Sequence, residues 1–143
     1  MSDANAQKHV FSLRVYYEDT DASGIVYYAN NLRFAERART EYLRSVGADH
    51  KSMMEQDSVY FIVRQCSVDY LTPAFLDDAL EIHSCFFDLR GASLRAEQVV
   101  RREEDELARL NIRLACVGNN GRPCRIPRKL WKAFDGGIAA IGR

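Results

Sequence analysis

Hydrophobic and polar residues alternate along five segments of this chain, which is the period of β-strands. The first segment covers residues 11–17, and the other four follow one another over 59–71, 80–89, 93–102 and 107–118. Short turns separate the later segments, with acidic residues at 103–106 joining the last two as a hairpin. These four segments therefore predict consecutive antiparallel strands.

Between the first two strands, apolar residues recur at the spacing of a helix of about four turns. At 100° per residue, one arc collects Leu32, Ala35, Ala38, Tyr42, Leu43 and Val46. Asn30 or Asn31 can cap the start of this helix, and Gly47 can end it. The predicted order is one strand, one helix and four strands. It indicates an α+β fold, in which a lone helix covers one face of a five-stranded antiparallel sheet.

Length and composition are those of one globular domain covering residues 1–143. The chain has 143 residues, of which 47% are hydrophobic and 28% are charged. Its ends, residues 1–8 and about 133–143, are expected to be flexible. Pro123, Pro127 and the glycine pair 136–137 predict an irregular tail before the C-terminus.

Charge and hydropathy exclude several classes of partner. The 20 Lys and Arg residues balance 20 Asp and Glu residues, which argues against a nucleic-acid-coating protein. No apolar run approaches the roughly 20 residues of a membrane span, and residues 1–8 lack the apolar region of an export signal. We therefore expect a cytoplasmic protein without a membrane span.

Metal binding is not indicated by the cysteines and histidines. Cys66, Cys85, Cys116 and Cys124 show no chelating spacing, and the three histidines lie far apart in the sequence. The cysteines are expected to be reduced thiols that pack as small apolar groups.

The segment between the first strand and the helix is rich in acidic and turn-forming residues. Residues 19–24 (DTDASG) match the opening of an EF-hand loop, but Asn30 stands where that loop needs a bidentate Glu. An Asp-x-Asp pair after a strand also occurs in aspartyl phosphotransfer, although that chemistry uses a larger parallel sheet. A turn in which Asp19 and Asp21 cap backbone groups is the third interpretation.

A family resemblance favours a different role for this loop. It rests on residues 14–21 (RVYYEDTD), 24–30 (GIVYYAN) and 34–41 (FAERARTE), and it continues through 61–64, 70–74, 76–78 and 90–94. These stretches resemble hotdog-fold acyl-CoA thioesterases of the 4-hydroxybenzoyl-CoA thioesterase and tol-pal-associated group. The resemblance covers roughly residues 10–130. It implies a hotdog fold, in which an antiparallel sheet wraps around one long helix.

The resemblance also implies a catalytic site. The family's catalytic carboxylate corresponds to Asp21, which would act as a nucleophile or as a general base. The oxyanion would be met by a backbone N–H at Tyr28, near the start of the helix. Tyr28 matches the hydroxybenzoyl-type enzyme, whereas the tol-pal-associated branch usually has His there. The implied reaction is hydrolysis of an acyl-CoA thioester without a metal or cofactor.

Glu36 and Arg39 lie within the apolar arc of the predicted helix. Two charged residues facing inward need partners or a polar cavity. Glu36 either reaches the acyl pocket, as the resemblance implies, or forms an ion pair with Arg39 at a subunit contact.

For coenzyme A, the resemblance implies phosphate contacts from Arg90 and Ser93, and from Arg125 and Arg128 near Lys129 in the tail. Arg is a natural phosphate partner, yet a basic tail can also be a solvated surface. No alternating basic and aromatic platform supports RNA binding by this tail.

Two function classes and two assemblies stay open. The first function is a thioesterase; the alternative is a non-catalytic hotdog protein that binds an acyl or CoA ligand or an envelope-complex partner. An open strand edge and the resemblance both predict a homodimer or homotetramer with sites shared between chains.

Overall fold

A computed structural model describes residues 8–134. Within them the predicted order of one strand, one helix and four strands is confirmed. The elements are β1 (Lys8–Arg14), α1 (Asn30–Ser45), β2 (Val59–Tyr70), β3 (Ala79–Arg90), β4 (Ser93–Arg102) and β5 (Asp105–Gly118). Of the ends that were expected to be flexible, residues 1–7 and 135–143 lie outside the described part.

The strands form one antiparallel sheet in the order β1-β3-β4-β5-β2. The register places the apolar residues of neighbouring strands on one face, as where Ala96 pairs with Ile112. Helix α1 covers this face and lies mainly against β1, β3 and β4. Under the helix, the ring of Tyr42 stacks on that of Phe86 with centroids 4.4 Å apart. The α+β hotdog architecture is therefore confirmed.

The buried face of α1 differs from the predicted arc. Leu32 is 42% exposed, whereas Phe34, which lies outside that arc, is fully buried. The buried stripe is rotated toward Phe34, and the helix contacts β1, β3 and β4, which form the half of the sheet on the β1 side. The flank of α1 that carries Leu32 is therefore outside the buried stripe.

The tail is only partly irregular: residues 119–127 form no helix or strand, as predicted, whereas the segment after them differs from the prediction, and the glycine pair 136–137 lies outside the described residues. Residues 128–134 are helical, and Pro127 stands just before them, where proline suits the first turn. Ile126, Leu130 and Phe134 recur every four residues and are buried in the core. The segment His50–Asp57, for which the sequence predicted no element, contains a helical turn (His50–Ser52) and a π-helical turn (Met53–Asp57).

Two strands, β1 and β2, form the edges of the sheet. Along β2 the side chains of Ile62, Val63 and Tyr70 are exposed. No helix in residues 8–134 is both long and apolar enough to cross a membrane.

Candidate functional site

Asp21 lies at the tip of a tight loop between β1 and α1. Thr20 and Val26 form a β-bridge at the base of this loop, and the amide of Asp21 donates to the carbonyl of Ile25 at 2.9 Å. Gly24, with φ of +81°, closes the turn by donating to the carbonyl of Asp21 at 3.0 Å. A left-handed conformation of this kind favours glycine. The backbone therefore holds Asp21 at an exposed tip.

Asp19, the other acidic residue of the motif, fixes the base of the loop. Its side chain is buried and accepts a 2.8 Å hydrogen bond from the amide of Tyr16. Its carbonyl accepts bonds from the amide of Tyr27 at 3.0 Å and from Nδ2 of Asn30 at 2.9 Å. Asp19 thus joins the end of β1 to the start of α1.

The carboxylate of Asp21 is exposed and held by Ser23. The Ser23 hydroxyl donates to Oδ1 at 2.8 Å, and the Ser23 amide donates to the same oxygen at 2.9 Å. These bonds, that from the hydroxyl first, hold the pKa of Asp21 below its ordinary value. At neutral pH the group is ionised. Because both bonds end on Oδ1, Oδ2 keeps its lone pairs available for chemistry.

Helix α1 begins beside this loop without a side-chain cap. Its N-cap residue is Ala29, and no acidic residue occupies the first turn. The prediction that Asn30 or Asn31 caps the helix is wrong, because both side chains donate hydrogen bonds to carbonyls, those of Asp19 and Tyr28.

Two amides at the helix start are left open. Within residues 8–134, the N–H groups of Tyr28 and Ala29 donate to no acceptor. Unpaired amides at a helix N-terminus carry partial positive charge and suit an anion.

A cluster of exposed aromatic rings lies beside the helix start and was not predicted. The ring of Tyr28 is 60% exposed and packs against Tyr27 and Tyr70, with centroids 5.0 and 5.7 Å away. Leu71 and Phe75 are also exposed. Phe75 is bridged to Ile25, so this surface continues into the loop of Asp21. Exposed apolar groups of this size mark a surface that binds another molecule.

A cavity of about 320 Å³ separates α1 from β2. Glu36 and Arg39 are among the residues that line it, but they do not form an ion pair within 4.0 Å, and the prediction that both face inward holds only in part. Glu36 is exposed at the rim. Arg39 is half-buried and donates to Oε1 of Gln98 at 2.9 Å. Burial lowers the pKa of Arg39, and the nearby charge of Glu36 opposes that shift.

The residues predicted to bind phosphates lie together at one end of the sheet. Arg90 and Ser93 flank the β3–β4 turn, and the amide of Ile126 donates to the carbonyl of Gly91 at 2.9 Å, which brings the tail alongside. Arg125 stacks over the ring of Trp131, and Arg128 is exposed. Lys129 is engaged by Gln56 and Asp57.

Within one chain, the residues predicted to bind phosphates lie far from Asp21. The loop of Asp21 docks beside residues 74–76, close to where β3 begins. Arg90 ends β3, which has 12 residues. At roughly 3.3 Å per residue, the two ends of this strand are about 36 Å apart.

Metal-binding groups and cysteines are two other possible sources of chemistry in the described residues. No group of three or more His, Cys, Asp and Glu side chains in residues 8–134 is arranged to hold a metal ion. No disulfide links the four cysteines, and burial raises the pKa of Cys116 to about 12. Cys116 is therefore a poor nucleophile at neutral pH.

Comparison with known protein families shows which family this chain belongs to. Residues 15–134 match the model of the thioesterase-like superfamily. The chain belongs to the thioesterase-like superfamily. It is a thioester hydrolase with a hotdog fold, and the resemblance noted in the sequence is confirmed.

Relatives in this superfamily match the chain over most of its length. An acyl-CoA thioesterase YbgC of Haemophilus influenzae is 38% identical over 125 residues, which are 87% of this chain and 92% of the relative. An acyl-CoA thioester hydrolase YbgC of Escherichia coli (strain CFT073) is 40% identical over 124 residues, covering 85% and 92%. A probable thioesterase from Bartonella henselae, solved as a crystal structure, has a TM-score of 0.81 at 35% identity, covering 85% of this thioesterase and 100% of that chain.

Proposed function

We propose that this thioesterase hydrolyses acyl-CoA thioesters with Asp21 as its catalytic carboxylate. The observations that carry the proposal are the ionised, exposed carboxylate on the loop that leads into α1 and the two open amides at the start of that helix. A thioester carbonyl between them would meet a base or nucleophile on one side and hydrogen-bond donors on the other. The names of the YbgC relatives support coenzyme A as the leaving group.

Two routes use this arrangement. In the first, Oδ2 of Asp21 attacks the carbonyl carbon, the C–S bond breaks and the CoA thiolate leaves. Water then cleaves the resulting mixed anhydride, which releases the acid and restores Asp21. In the second, Asp21 takes a proton from water as the oxygen of that water adds to the carbonyl. The C–S bond of the tetrahedral intermediate then breaks, and the CoA thiolate leaves and takes that proton from Asp21, which releases the acid and the CoA thiol. In both, the amide of Tyr28 donates to the oxyanion.

The proposal includes a homodimer, which can pair further into a homotetramer. The open β2 edge invites pairing with a second copy about a two-fold axis. Such pairing is antiparallel, so the Tyr70 end of one β2 would lie beside the Val59 end of its partner. Asp21 of one chain would then approach the cavity and the basic end of the other. In one chain, the loop of Asp21 docks near the start of β3 and Arg90 ends that strand, and this separation supports a shared site.

Substrate contacts follow from this assembly. Arg90, Ser93, Arg125 and Arg128 would hold the phosphates of coenzyme A, since guanidinium groups pair well with phosphate. Glu36 would face the acyl group at the rim of the cavity. We further propose a cytoplasmic location, which the reduced state of the four cysteines supports.

Steady-state hydrolysis of an acyl-CoA panel by the full chain tests this function. The panel should span short aliphatic, long aliphatic and hydroxybenzoyl thioesters, with the Asp21→Asn variant as a matched control. We expect turnover of at least one thioester by the wild type and its loss in the variant. Tight binding of these thioesters without turnover would instead favour the non-catalytic binding protein.

A further inference from the structure

The head group of Arg39 is held in one position by a buried polar network. Its Nη1 donates to Oε1 of Gln98 at 2.9 Å. Gln98 is fully buried, and its Nε2 donates to the carbonyl of Ala35 and to Oγ of Ser84, both at 2.9 Å. Both ends of the Gln98 amide are therefore engaged. The guanidinium of Arg39 is fixed before any ligand arrives.

This guanidinium has no counterion in residues 8–134. No carboxylate oxygen there lies within 4.0 Å of it, although Glu36 lies three residues earlier on the same helix. A guanidinium offers five N–H donors and no acceptor, and Gln98 takes one of them. A partly buried cation is costly unless an anion or several acceptors compensate it. The free donors need acceptors from another molecule.

The cavity beside Arg39 has room for a small, mostly apolar group. Its volume of about 320 Å³ is at the lower end of the roughly 300–1,000 Å³ that is typical of ligand cavities. Its apolar walls include Leu43, Phe61, Phe86, Leu94, Leu114 and Phe134. A ligand that fills it should have an apolar middle and an acceptor where it meets Arg39.

We infer that the cavity binds the acyl group of an ω-carboxyacyl thioester, with Arg39 contacting the carboxylate at its far end. The inference rests on the proposed function and names its substrate class, the monothioesters of dicarboxylic acids. A carboxylate fits because it only accepts hydrogen bonds, balances the charge of Arg39 and can take two parallel bonds from one guanidinium. A methyl end would leave the remaining donors of Arg39 facing apolar surface.

Three thioesters of equal chain length test the inference: hexanoyl-CoA, 6-hydroxyhexanoyl-CoA and adipoyl-CoA. For the wild type, we expect kcat/KM for adipoyl-CoA to exceed that for hexanoyl-CoA roughly 10- to 100-fold, since hydrogen bonds to charged groups have about this effect. Arg39→Met should abolish this preference for adipoyl-CoA over hexanoyl-CoA. Arg39→Lys, which keeps the charge without the planar fork, should retain part of it.

Arg37→Met is the matched control, because Arg37 is exposed on the same helix and does not line the cavity. It should leave the ratio unchanged. A wild type that prefers hexanoyl-CoA or 6-hydroxyhexanoyl-CoA would overturn the inference. So would an Arg39→Met variant that retains the preference for adipoyl-CoA.

Calorimetric binding of the same three thioesters to the Asp21→Asn variant separates the two proposals. Tighter binding of adipoyl-CoA that disappears on adding Arg39→Met would support the cavity assignment even if the wild type hydrolysed none of the three. Hydrolysis of hexanoyl-CoA without any preference for adipoyl-CoA, in either binding or turnover, would leave the proposed function standing and refute the role of Arg39.

Discussion

The hydroxyl of Ser23 donates a 2.8 Å hydrogen bond to Oδ1 of Asp21. This bond is the main cause of the lowered pKa of Asp21, and the amide of Ser23 adds a second bond to the same oxygen. The side chain two residues away from the proposed catalytic carboxylate therefore keeps that carboxylate ionised well into the acid range.

Ser23→Ala should raise the pKa of Asp21 toward its ordinary value, because the amide bond survives while the hydroxyl bond is lost. In the proposed mechanism the ionised form is the active one, so activity should be lost at a higher pH on acidification than in the wild type. A ¹³C NMR titration of the Asp21 carboxyl, assigned by its absence in Asp21→Asn, would measure the change. An unaltered or lower pKa in Ser23→Ala would contradict the assigned cause.

Asp21→Asn should lower kcat by at least about 10³ without unfolding the protein, because an amide is neither nucleophile nor base. The side chain is exposed, so the melting temperature should barely change. Asp19→Asn is the comparison: its amide oxygen can still accept from the amide of Tyr16, so turnover should fall far less. The roles proposed for the two residues would be reversed if Asp19 proved essential and Asp21 dispensable.

Arg90→Ala should raise KM for the CoA thioester much more than it lowers kcat. The guanidinium is exposed and bonded only to Asp88 among the described residues, and a contact with remote phosphates binds ground and transition states alike. The corresponding acyl-pantetheine, which lacks the nucleotide, should be insensitive to the change. Equal losses with both substrates would indicate that Arg90 supports the β3–β4 turn instead.

Light scattering at micromolar concentration should report a dimer or tetramer. Edge pairing through β2 would cover Ile62 and Val63, whose exposure in one chain is otherwise unfavourable. Specific activity should also fall on dilution to concentrations at which monomer appears. A fully active monomer would refute the assembly and the shared site together.

Tyr42→Phe should leave the stability unchanged or raise it by about 1 kcal/mol. The hydroxyl of Tyr42 is buried without a hydrogen-bond partner in residues 8–134, and burial raises its pKa to about 12. Removing an unpaired buried hydroxyl relieves its desolvation cost, while the ring stays stacked on Phe86. Urea unfolding would measure the difference. Tyr42→Leu, which removes the stacking as well, should destabilise the protein.

Alternation and turn chemistry were enough to predict the five strands and the long helix. β4 has the predicted bounds, and β2, β3 and β5 differ from prediction by one or two residues at an end. β1 begins and ends three residues before the predicted 11–17, and it includes Lys8, which was expected to be flexible. The helical tail was missed because Pro123 and Pro127 suggested a break, although the four-residue spacing of Ile126, Leu130 and Phe134 was visible in the sequence.

The site was only partly predictable. The loop motif is what led to the proposal of Asp21, because its spacing is local and carries a family resemblance. Two other contacts join residues that are far apart in the chain. Tyr28 contacts Tyr70, which lies 42 positions later, and Arg39 contacts Gln98, which lies 59 positions later. A local sequence period does not predict contacts of this kind. They depend on where α1 lies on the sheet, which is a property of the whole core.

The loop is anchored at its base by the hydrogen bond of Asp19 and by the Thr20–Val26 bridge, and this anchoring has an evolutionary consequence. Residues 21–23 lie beyond both attachments, so substitutions among them change the proposed reactive group without loosening the join between β1 and α1. New chemistries can be sampled there by single mutations while the scaffold keeps its shape. Divergence of reactivity within such a lineage should therefore accumulate at this tip before it reaches the base.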